Sequence, residues 1–274
     1  RVPRMVLAGL VGATLAGSGA AYQGVFRNPL ADPYLLGVAA GAGLGATIAI
    51  VSGLPSSTIA PLAFTGAVVA VVAAYGLASL GGSRRSGATL ILAGVAVAAF
   101  FTALQTYLQQ QHADTIRQVF SWILGRLSTT GWGDVRTLLP YAIVSWLVLF
   151  AYRRHLDVMA VGEEEASTLG IHPARVRLVV VAGATLGAAA AVAVSGLIAF
   201  VGIIVPHIAR LVTGPSHRVL LPVSLTGGAA FLMVADLVAR TVQSGGEVPI
   251  GVITAFVGAP FFAFILATRR EVAT

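Results

Sequence analysis

The sequence contains no cysteine and no lysine, and only 10 of its 274 residues are acidic. Without cysteine there is no disulfide framework, thiol nucleophile or cysteine metal site. Charged residues make up 10% of the chain, against roughly 25% in soluble domains. This shortfall excludes an ordinary soluble globular protein, a disordered chain and a nucleic-acid-binding domain. The chain also lacks Walker A, H-E-x-x-H and G-x-S-x-G motifs, so it shows no ATP-phosphate cradle or hydrolase signature.

Apolar residues dominate instead, at 57% of the chain, and the arginines fall between apolar runs. This pattern is typical of a polytopic membrane protein with charged loops. Because a membrane-crossing helix needs roughly 20 apolar residues, the sequence predicts an all-α fold with several spans. The nine predicted spans are 4–24, 35–54, 60–80, 89–109, 137–152, 177–196, 198–213, 219–240 and 249–267. The stretch 115–125 is too short to cross and predicts a re-entrant or interfacial helix.

The arginine distribution predicts the orientation in the membrane. With a cytoplasmic C-terminus, one side holds eleven arginines and the other six, and the richer side is the cytoplasmic one. Nine spans then place residue 1 outside. Since the chain begins with Arg1, we expect that a first span is missing from the N-terminus and that no signal peptide is needed. Residues 1–274 are expected to form a single transmembrane domain.

Small residues and isolated polar residues give local predictions. The spacings Gly37–Gly41 and Gly183–Gly187 favour close helix packing in lipid. Ser195 and Gly196 indicate a helix break rather than a nucleophile. The five histidines include no i, i+4 pair, so metal or haem ligation is not expected. Asp236 lies four residues before Arg240, and the simplest interpretation is an ion pair near the outer end of a span.

Two segments on the predicted cytoplasmic side are unusual. In 26–37 two prolines frame Asp32, which predicts a sharp turn at the inner membrane face, with Asp32 capping the next helix. In 161–175 three glutamates begin a short helix that Gly170 and the following proline end. Its residues Ala166 and Leu169 would share one face. That helix is either a solvated connector or a docking helix for a soluble partner.

With these segments in view, the sequence resembles the permease subunit of type II ABC importers, the FecCD-like family that takes up ferric siderophores, haem and cobalamin. The resemblance covers the whole chain in the family's order. The matching segments are 1–4 (RVPR), 27–38 (RNPLADPYLLGV), 90–95 (LILAGV), 162–170 (GEEEASTLG), 200–210 (FVGIIVPHIAR), 217–222 (HRVLLP), 235–240 (ADLVAR) and 248–252 (VPIGV).

The resemblance implies ten transmembrane helices per subunit in a multi-pass protein of the bacterial cytoplasmic (inner) membrane. It implies a homodimer, two ABC ATPase subunits on the cytoplasmic face and an extracytoplasmic substrate-binding protein. ATP and Mg would be bound by the ATPase subunits, so the chain would be a transport subunit and not an enzyme, with no cofactor or metal of its own. Membrane lipid is a further expected partner, and nucleic acid is not.

The resemblance also carries over site residues. It implies that 161–175 contains the helix that couples to the ATPase, with residues Gly162, Glu163, Ala166, Leu169 and Gly170. It implies docking of the binding protein by Arg1, Arg4 and Arg240. It implies a cytoplasmic gate formed by Asn28 and Leu30 and by a second segment before 90–95. That second segment is 86–89 (SGAT) here, which departs from the polar residues expected.

The expected function is therefore ATP-driven import of an iron chelate or haem, with a cobalamin importer as the alternative. Other classes fit less well. A secondary transporter needs several carboxylates at mid-membrane to bind its coupling ion, and Asp236 alone does not meet this requirement. A membrane enzyme needs a nucleophile pair or metal cluster, and a channel needs repeated filter residues; the sequence shows neither.

Overall fold

A computed structural model of the protein describes residues 1–80, 87–127, 131–243 and 246–271. All regular structure in these ranges is helical. Two short 3₁₀ turns, Ser56–Thr58 and Ala113–Thr115, precede α3 and α5. The α-helices are α1 (Val2–Val25), α2 (Val38–Val51), α3 (Ile59–Leu80), α4 (Gly87–Gln111), α5 (Ile116–Ile123), α6 (Gly133–Met159), α7 (Glu163–Thr168), α8 (Pro173–Ser195), α9 (Val201–Thr213), α10 (His217–Thr241) and α11 (Ile250–Glu271).

Six of these helices are long and apolar enough to cross a membrane, namely α1, α3, α4, α6, α8 and α10. Shorter apolar helices are formed by α2, α9 and the part of α11 from Ile250 to Ala263. Each predicted span coincides with one of these nine helices, while nine as a number of membrane crossings stays a prediction. The stretch 115–125 contains α5, a helix of eight residues. We use "outer end" and "inner end" for the two ends of the bundle as the arginine distribution orients them.

Helix α1 is the central helix of the bundle. It is buried continuously from Leu7 to Val25 and packs against α6, α8, α9 and α10. Glycines permit this packing: a Cβ on Gly12 would lie 2.1 Å from the carbonyl oxygen of Gly228, and one on Gly19 would lie 1.9 Å from that of Gly202. The backbones of α1, α9 and α10 can therefore approach only because these positions lack side chains.

The predicted small-residue contacts are largely confirmed. A Cβ on Gly41 would lie 2.2 Å from the carbonyl oxygen of Gly66 in α3, and Gly187 packs against the Ser145 hydroxyl of α6. Gly37 has a different role, because its positive φ of 85° forms the turn into α2, a conformation that glycine adopts without strain. The break at Ser195 and Gly196 is also confirmed, since α8 ends there with φ 71° at Gly196.

The segment 26–37 turns as predicted, but its second half folds into the bundle; its depth relative to the membrane face stays a prediction. Pro33 packs against Gly202, where a Cβ would lie 2.6 Å from the proline ring, and the Tyr34 hydroxyl donates to the Ile198 carbonyl oxygen at 3.0 Å. Gly202 faces Gly19 of α1, six residues or about 9 Å before that helix ends. The segment folds inward because its apolar residues, such as Leu36, are fully buried.

This inward fold explains why α2 and α9 are short. Both begin at a break in the chain, α2 after the segment 26–37 and α9 after 196–200, and Tyr34 joins the two breaks. Non-helical backbone at membrane depth is tolerated where protein surrounds it or where it lines a cavity. The bundle therefore contains an irregular junction below its surface, made by two segments 164 residues apart in sequence.

Candidate functional site

The predicted coupling segment is a short helix at the inner end, between α6 and α8. Helix α7 runs from Glu163 to Thr168, and Gly170 follows with φ 80°, as its predicted role as the helix-ending residue requires. Gly162 cannot carry a side chain without moving a neighbour, because a Cβ there would lie 1.8 Å from the Glu165 carboxylate. The glycines on each side thus fix where this helix begins and ends.

Ala166 of α7 and Leu169, which follows the helix, do not share an exposed face. Ala166 is fully buried against the rest of the chain, whereas Leu169 is 67% exposed. The prediction that both contact a partner is therefore wrong for Ala166, because its small side chain seats α7 on the bundle. Leu169, just past the last helical residue, remains a large apolar side chain presented to solvent.

A salt bridge holds α7 against α8. The carboxylate of Glu163 pairs with the guanidinium of Arg177, whose side chain is 5% exposed. A buried arginine requires such compensation, because an uncompensated charge in the interior is costly. Glu163 therefore has an internal structural contact, which the sequence did not indicate because the two residues lie on different helices.

The two predicted gate segments lie close together. Asn28 is exposed, Leu30 is half-buried, and the Asn28 side-chain oxygen accepts the Leu30 backbone N–H at 3.0 Å. Gly87 of the second segment faces Phe26, and a Cβ there would lie 3.3 Å from the phenyl ring. Ser86 lies outside the described residues. The structure thus brings the start of α4 beside the turn that contains Asn28.

Asp32 does not cap α2 as predicted. Its carboxylate accepts the backbone N–H of Tyr34 at 2.7 Å within the turn, and the residue that precedes α2 is Gly37. Burial raises the pKa of Asp32 from 3.8 to about 6. The segment beside the predicted gate therefore contains a carboxyl group whose pKa is raised by burial.

A charged cluster joins the outer ends of α1 and α10 and the segment that follows α10. Asp236, with a side chain only 2% exposed, pairs with Arg4 at 2.8 Å and with Arg240 at 3.2 Å. Arg4 also pairs with Glu247 at 2.9 Å. We call these four residues the outer cluster. The predicted pair between Asp236 and Arg240 is confirmed, but its stronger partner is Arg4, 232 residues away in sequence.

The outer cluster changes the interpretation of the predicted docking arginines. Arg4, one of the three expected docking arginines, has a side chain that is only 16% exposed because two carboxylates hold it. Arg1 is exposed, and the Arg240 side chain is 25% exposed. Glu247 was not identified as a site residue from the sequence. It is the single acidic residue in the sequence between α10 and α11, which could have indicated a partner for an outer arginine. Its hydrogen bond with Arg4 lowers its pKa.

In the part of the chain that the structure describes, no three His, Asp or Glu residues are grouped so as to hold a metal ion. The arrangement instead consists of an apolar helical bundle with an exposed leucine on a short inner helix, a polar turn beside α4 and arginines at the opposite end. These features fit a multi-pass membrane protein with polar groups at both ends of its helical bundle.

The comparison with known proteins agrees with the assignment to a multi-pass membrane protein. The sequence profile of the FecCD transport family matches residues 1–268, and the chain belongs to this family. It is 47% identical to the cobalamin import system permease protein BtuC of Halobacterium salinarum over 98% of this chain and 73% of the relative. It is 36% identical to the hemin transport system permease protein HmuU of Yersinia pestis over 99% of this chain and 83% of the relative.

A solved structure of a metal-chelate type ABC transporter in an inward-facing conformation shares the fold. It superimposes with a TM-score of 0.90 and 31% identity, covering 98% of this chain and 86% of the other. The all-α architecture, the membership of an ABC permease family and the multi-pass location in the cytoplasmic membrane are thereby confirmed.

Proposed function

We propose that the chain is the membrane permease subunit of an ATP-driven importer for an iron chelate or haem, working with a second copy of itself. Two ABC ATPase subunits would bind ATP and Mg at the inner end, and an extracytoplasmic binding protein would deliver the solute at the outer end. The chain itself would carry no ATPase site. Family membership supports this proposal most strongly.

The exposed Leu169 supports contact with an ATPase subunit. A large apolar side chain that is 67% exposed at the end of a charged helix contributes binding free energy only when a partner covers it, at roughly 25 cal/mol per Å² buried. The anchor of α7 to α8 through Glu163 and Arg177 would pass force from that contact into the membrane helices.

The surface of α11 supports a solute pathway of low polarity. A cleft of about 600 Å³ separates α11 from α5 and from the break after α8, and its lining is apolar, including Leu197 and Phe256. Phe256 is 74% exposed and Phe100 of α4 is 65% exposed. In the proposed homodimer these faces would meet the second copy or the passing solute. A pathway of this kind would bind solute weakly, because the binding protein supplies the affinity.

The gate and docking assignments belong to the same proposal. Asn28 and Leu30 would narrow the inner exit together with the start of α4. Arg1 and the exposed parts of Arg4 and Arg240 would meet acidic residues of the binding protein. Charge pairs of this kind increase the association rate and fix orientation more than they raise affinity.

The test is reconstitution of the permease with its ATPase subunits and binding protein in proteoliposomes. We expect copurification of an ATPase with a Walker A motif and ATP-dependent uptake of a radioactive ferric chelate or of haem. Uptake without ATP, driven by a proton or sodium gradient, would contradict the proposal and favour a secondary transporter.

Cobalamin is a second candidate solute, because the 47% identity to a cobalamin permease exceeds the 36% identity to a hemin permease. Titrating the purified binding protein with ferric chelate, haem and cyanocobalamin distinguishes an iron-chelate or haem importer from a cobalamin importer. Tight binding of cyanocobalamin alone would favour the second candidate over the first.

A further inference from the structure

A second polar cluster lies at the inner end, apart from the predicted sites. The Asp157 carboxylate is 2.7 Å from the His217 ring nitrogen Nδ1 and accepts the His217 backbone N–H, also at 2.7 Å. The Ser216 hydroxyl donates to the second carboxylate oxygen at 3.1 Å. The His217 side chain is 1% exposed. We call Asp157, Ser216 and His217 the inner latch; it joins the end of α6 to the start of α10.

The position of the inner latch in the chain is informative. Asp157 lies two residues before α6 ends at Met159, and α7 begins at Glu163. A displacement of α7 therefore acts directly on the helix end that carries Asp157. Two short hydrogen bonds join the buried His217 to the same Asp157 carboxylate oxygen. Charge-assisted hydrogen bonds of this kind are strong, so they would transmit such a displacement to α10.

Helix α10 reaches the opposite membrane face. Asp236 lies 19 residues after His217, which corresponds to about 28 Å of helix, and it forms the centre of the outer cluster. Over this length α10 is packed against α1: Gly12 meets Gly228 backbone to backbone, and the His217 ring lies against Gly24, where a Cβ would be 2.5 Å from Nε2. Since close-packed helices do not deform continuously, α1 and α10 are expected to move as one unit.

We propose that Asp157 and His217 are positioning residues that make the α1–α10 pair the mechanical link between the ATPase contact and the binding-protein contact. This inference rests on the proposed function and goes beyond it by naming the connection. Because coupling between two sites is reciprocal, nucleotide at the inner end changes the affinity for binding protein at the outer end. Breaking the inner latch weakens that effect in both directions.

The experiment uses the complete complex in nanodiscs. The first readout is the fold by which ATP changes the dissociation constant of the binding protein, and the second is the fold by which loaded binding protein changes the dissociation constant of ATP. Asp157→Ala is expected to reduce both factors at least about fivefold, a typical lower size for allosteric coupling. Basal ATP hydrolysis is expected to stay close to that of the control, whereas the melting temperature is expected to fall, because the variant leaves the buried His217 donors without their acceptor.

The matched control is Asp134→Ala, the same substitution at the opposite end of α6, at a position outside both clusters. Asp157→Asn keeps the acceptor oxygen for the His217 backbone and is expected to restore most of the coupling. If Asp157→Ala does not assemble, His217→Leu tests the same contact, because it keeps the backbone hydrogen bond and the side-chain volume.

Wild-type coupling in a folded Asp157→Ala or His217→Leu complex would overturn the inference. So would an equal loss in Asp134→Ala, since the effect would then be general destabilisation. Failure of the proposed function looks different: the unmodified complex would then show no ATP-dependent change in affinity for the binding protein.

Discussion

At the scale of single residues, the strongest constraint is how each charged side chain is neutralised. Arg177 is buried beside Glu163, and Asp236 is buried between Arg4 and Arg240. Removing one member of such a buried set leaves the others uncompensated and costs about 3–5 kcal/mol. Charge reversal at Arg4 is therefore a poor test of docking, because it would destabilise the fold before it affected a partner.

Leu169 provides a cleaner test at this scale, since its side chain is largely exposed. Leu169→Asp is expected to leave the permease folded but to reduce uptake per ATP hydrolysed at least tenfold, because a carboxylate cannot be buried against an apolar groove at low cost. Uptake and hydrolysis are measured together in proteoliposomes. Leu169→Met keeps apolar volume and is expected to retain coupling; undiminished transport by the aspartate variant would exclude this contact.

Asp32 predicts a pH dependence of stability. The carboxyl pKa is raised from 3.8 to about 6 in the folded protein, so folding disfavours the ionised form and the wild type loses stability as pH rises through that window. Asp32→Asn keeps the acceptor for Tyr34 but does not titrate. The melting temperature of the variant minus that of the wild type should rise from pH 4.5 to 7 and then level off.

The control for this measurement is Asp114→Asn, the same substitution at an exposed position. A difference between Asp32→Asn and the wild type that does not change with pH would show that the Asp32 environment is more hydrated than the structure indicates.

At the scale of helices, the sequence correctly predicted that the apolar segments form helices, because runs of apolar residues are a local signal for them. The short helix of 161–175 was equally predictable, since its acidic start and glycine end are local signals. The inward fold of 26–37 was not, because it depends on contacts of Pro33 and Tyr34 with residues more than 160 positions away. For the same reason, the pairing of Asp236 with Arg240 was foreseen and its pairing with Arg4 was missed.

The contact of α1 with α10 gives a prediction about packing. Gly12→Ala places a methyl group 2.1 Å from the Gly228 carbonyl oxygen, so the helices must separate, at an expected cost of about 1–3 kcal/mol or more. Gly76→Ala in α3 is the matched control, since nothing lies within 4 Å of its Cβ position, and it should be neutral or slightly stabilising. Thermal unfolding in detergent compares the two; equal melting temperatures would contradict this packing.

The gate segment can be tested by cross-linking. Residues 1–274 contain no cysteine, so a cysteine introduced at Asn28 or Leu30 would be the single thiol in this part of each subunit. We expect disulfide formation between the two subunits when the inner exit is closed, with uptake blocked until a reductant is added. A cysteine at the exposed Gly53, on the outer side, should not cross-link. Absence of cross-linking at 28 and 30 in every nucleotide state would place the gate elsewhere.

At the scale of the whole molecule the net charge is +7, but most arginines lie on the inner side, and the two arginines of the outer cluster are balanced by its two carboxylates. The charge that a partner meets at the outer end therefore depends on single residues. Glu247 neutralises part of Arg4 while remaining 53% exposed. Glu247→Gln should therefore raise the association rate of the binding protein, and Arg1→Gln should lower it, each by a factor that shrinks as salt is added. Stopped-flow association at several ionic strengths measures this. Rates independent of salt in both variants would show that these residues do not recruit the partner.

The central position of α1 has a consequence for how the protein is made. Among the described helices α1 is synthesised first, yet its partners come much later: Ser18 bonds to the Ala184 carbonyl oxygen, and Arg4 to Asp236. Until α8 and α10 have been inserted, its glycine-rich surface and its polar groups face lipid or a chaperone. An interrupted translation product therefore leaves its innermost helix uncovered, and degradation of such fragments by membrane proteases should be rapid.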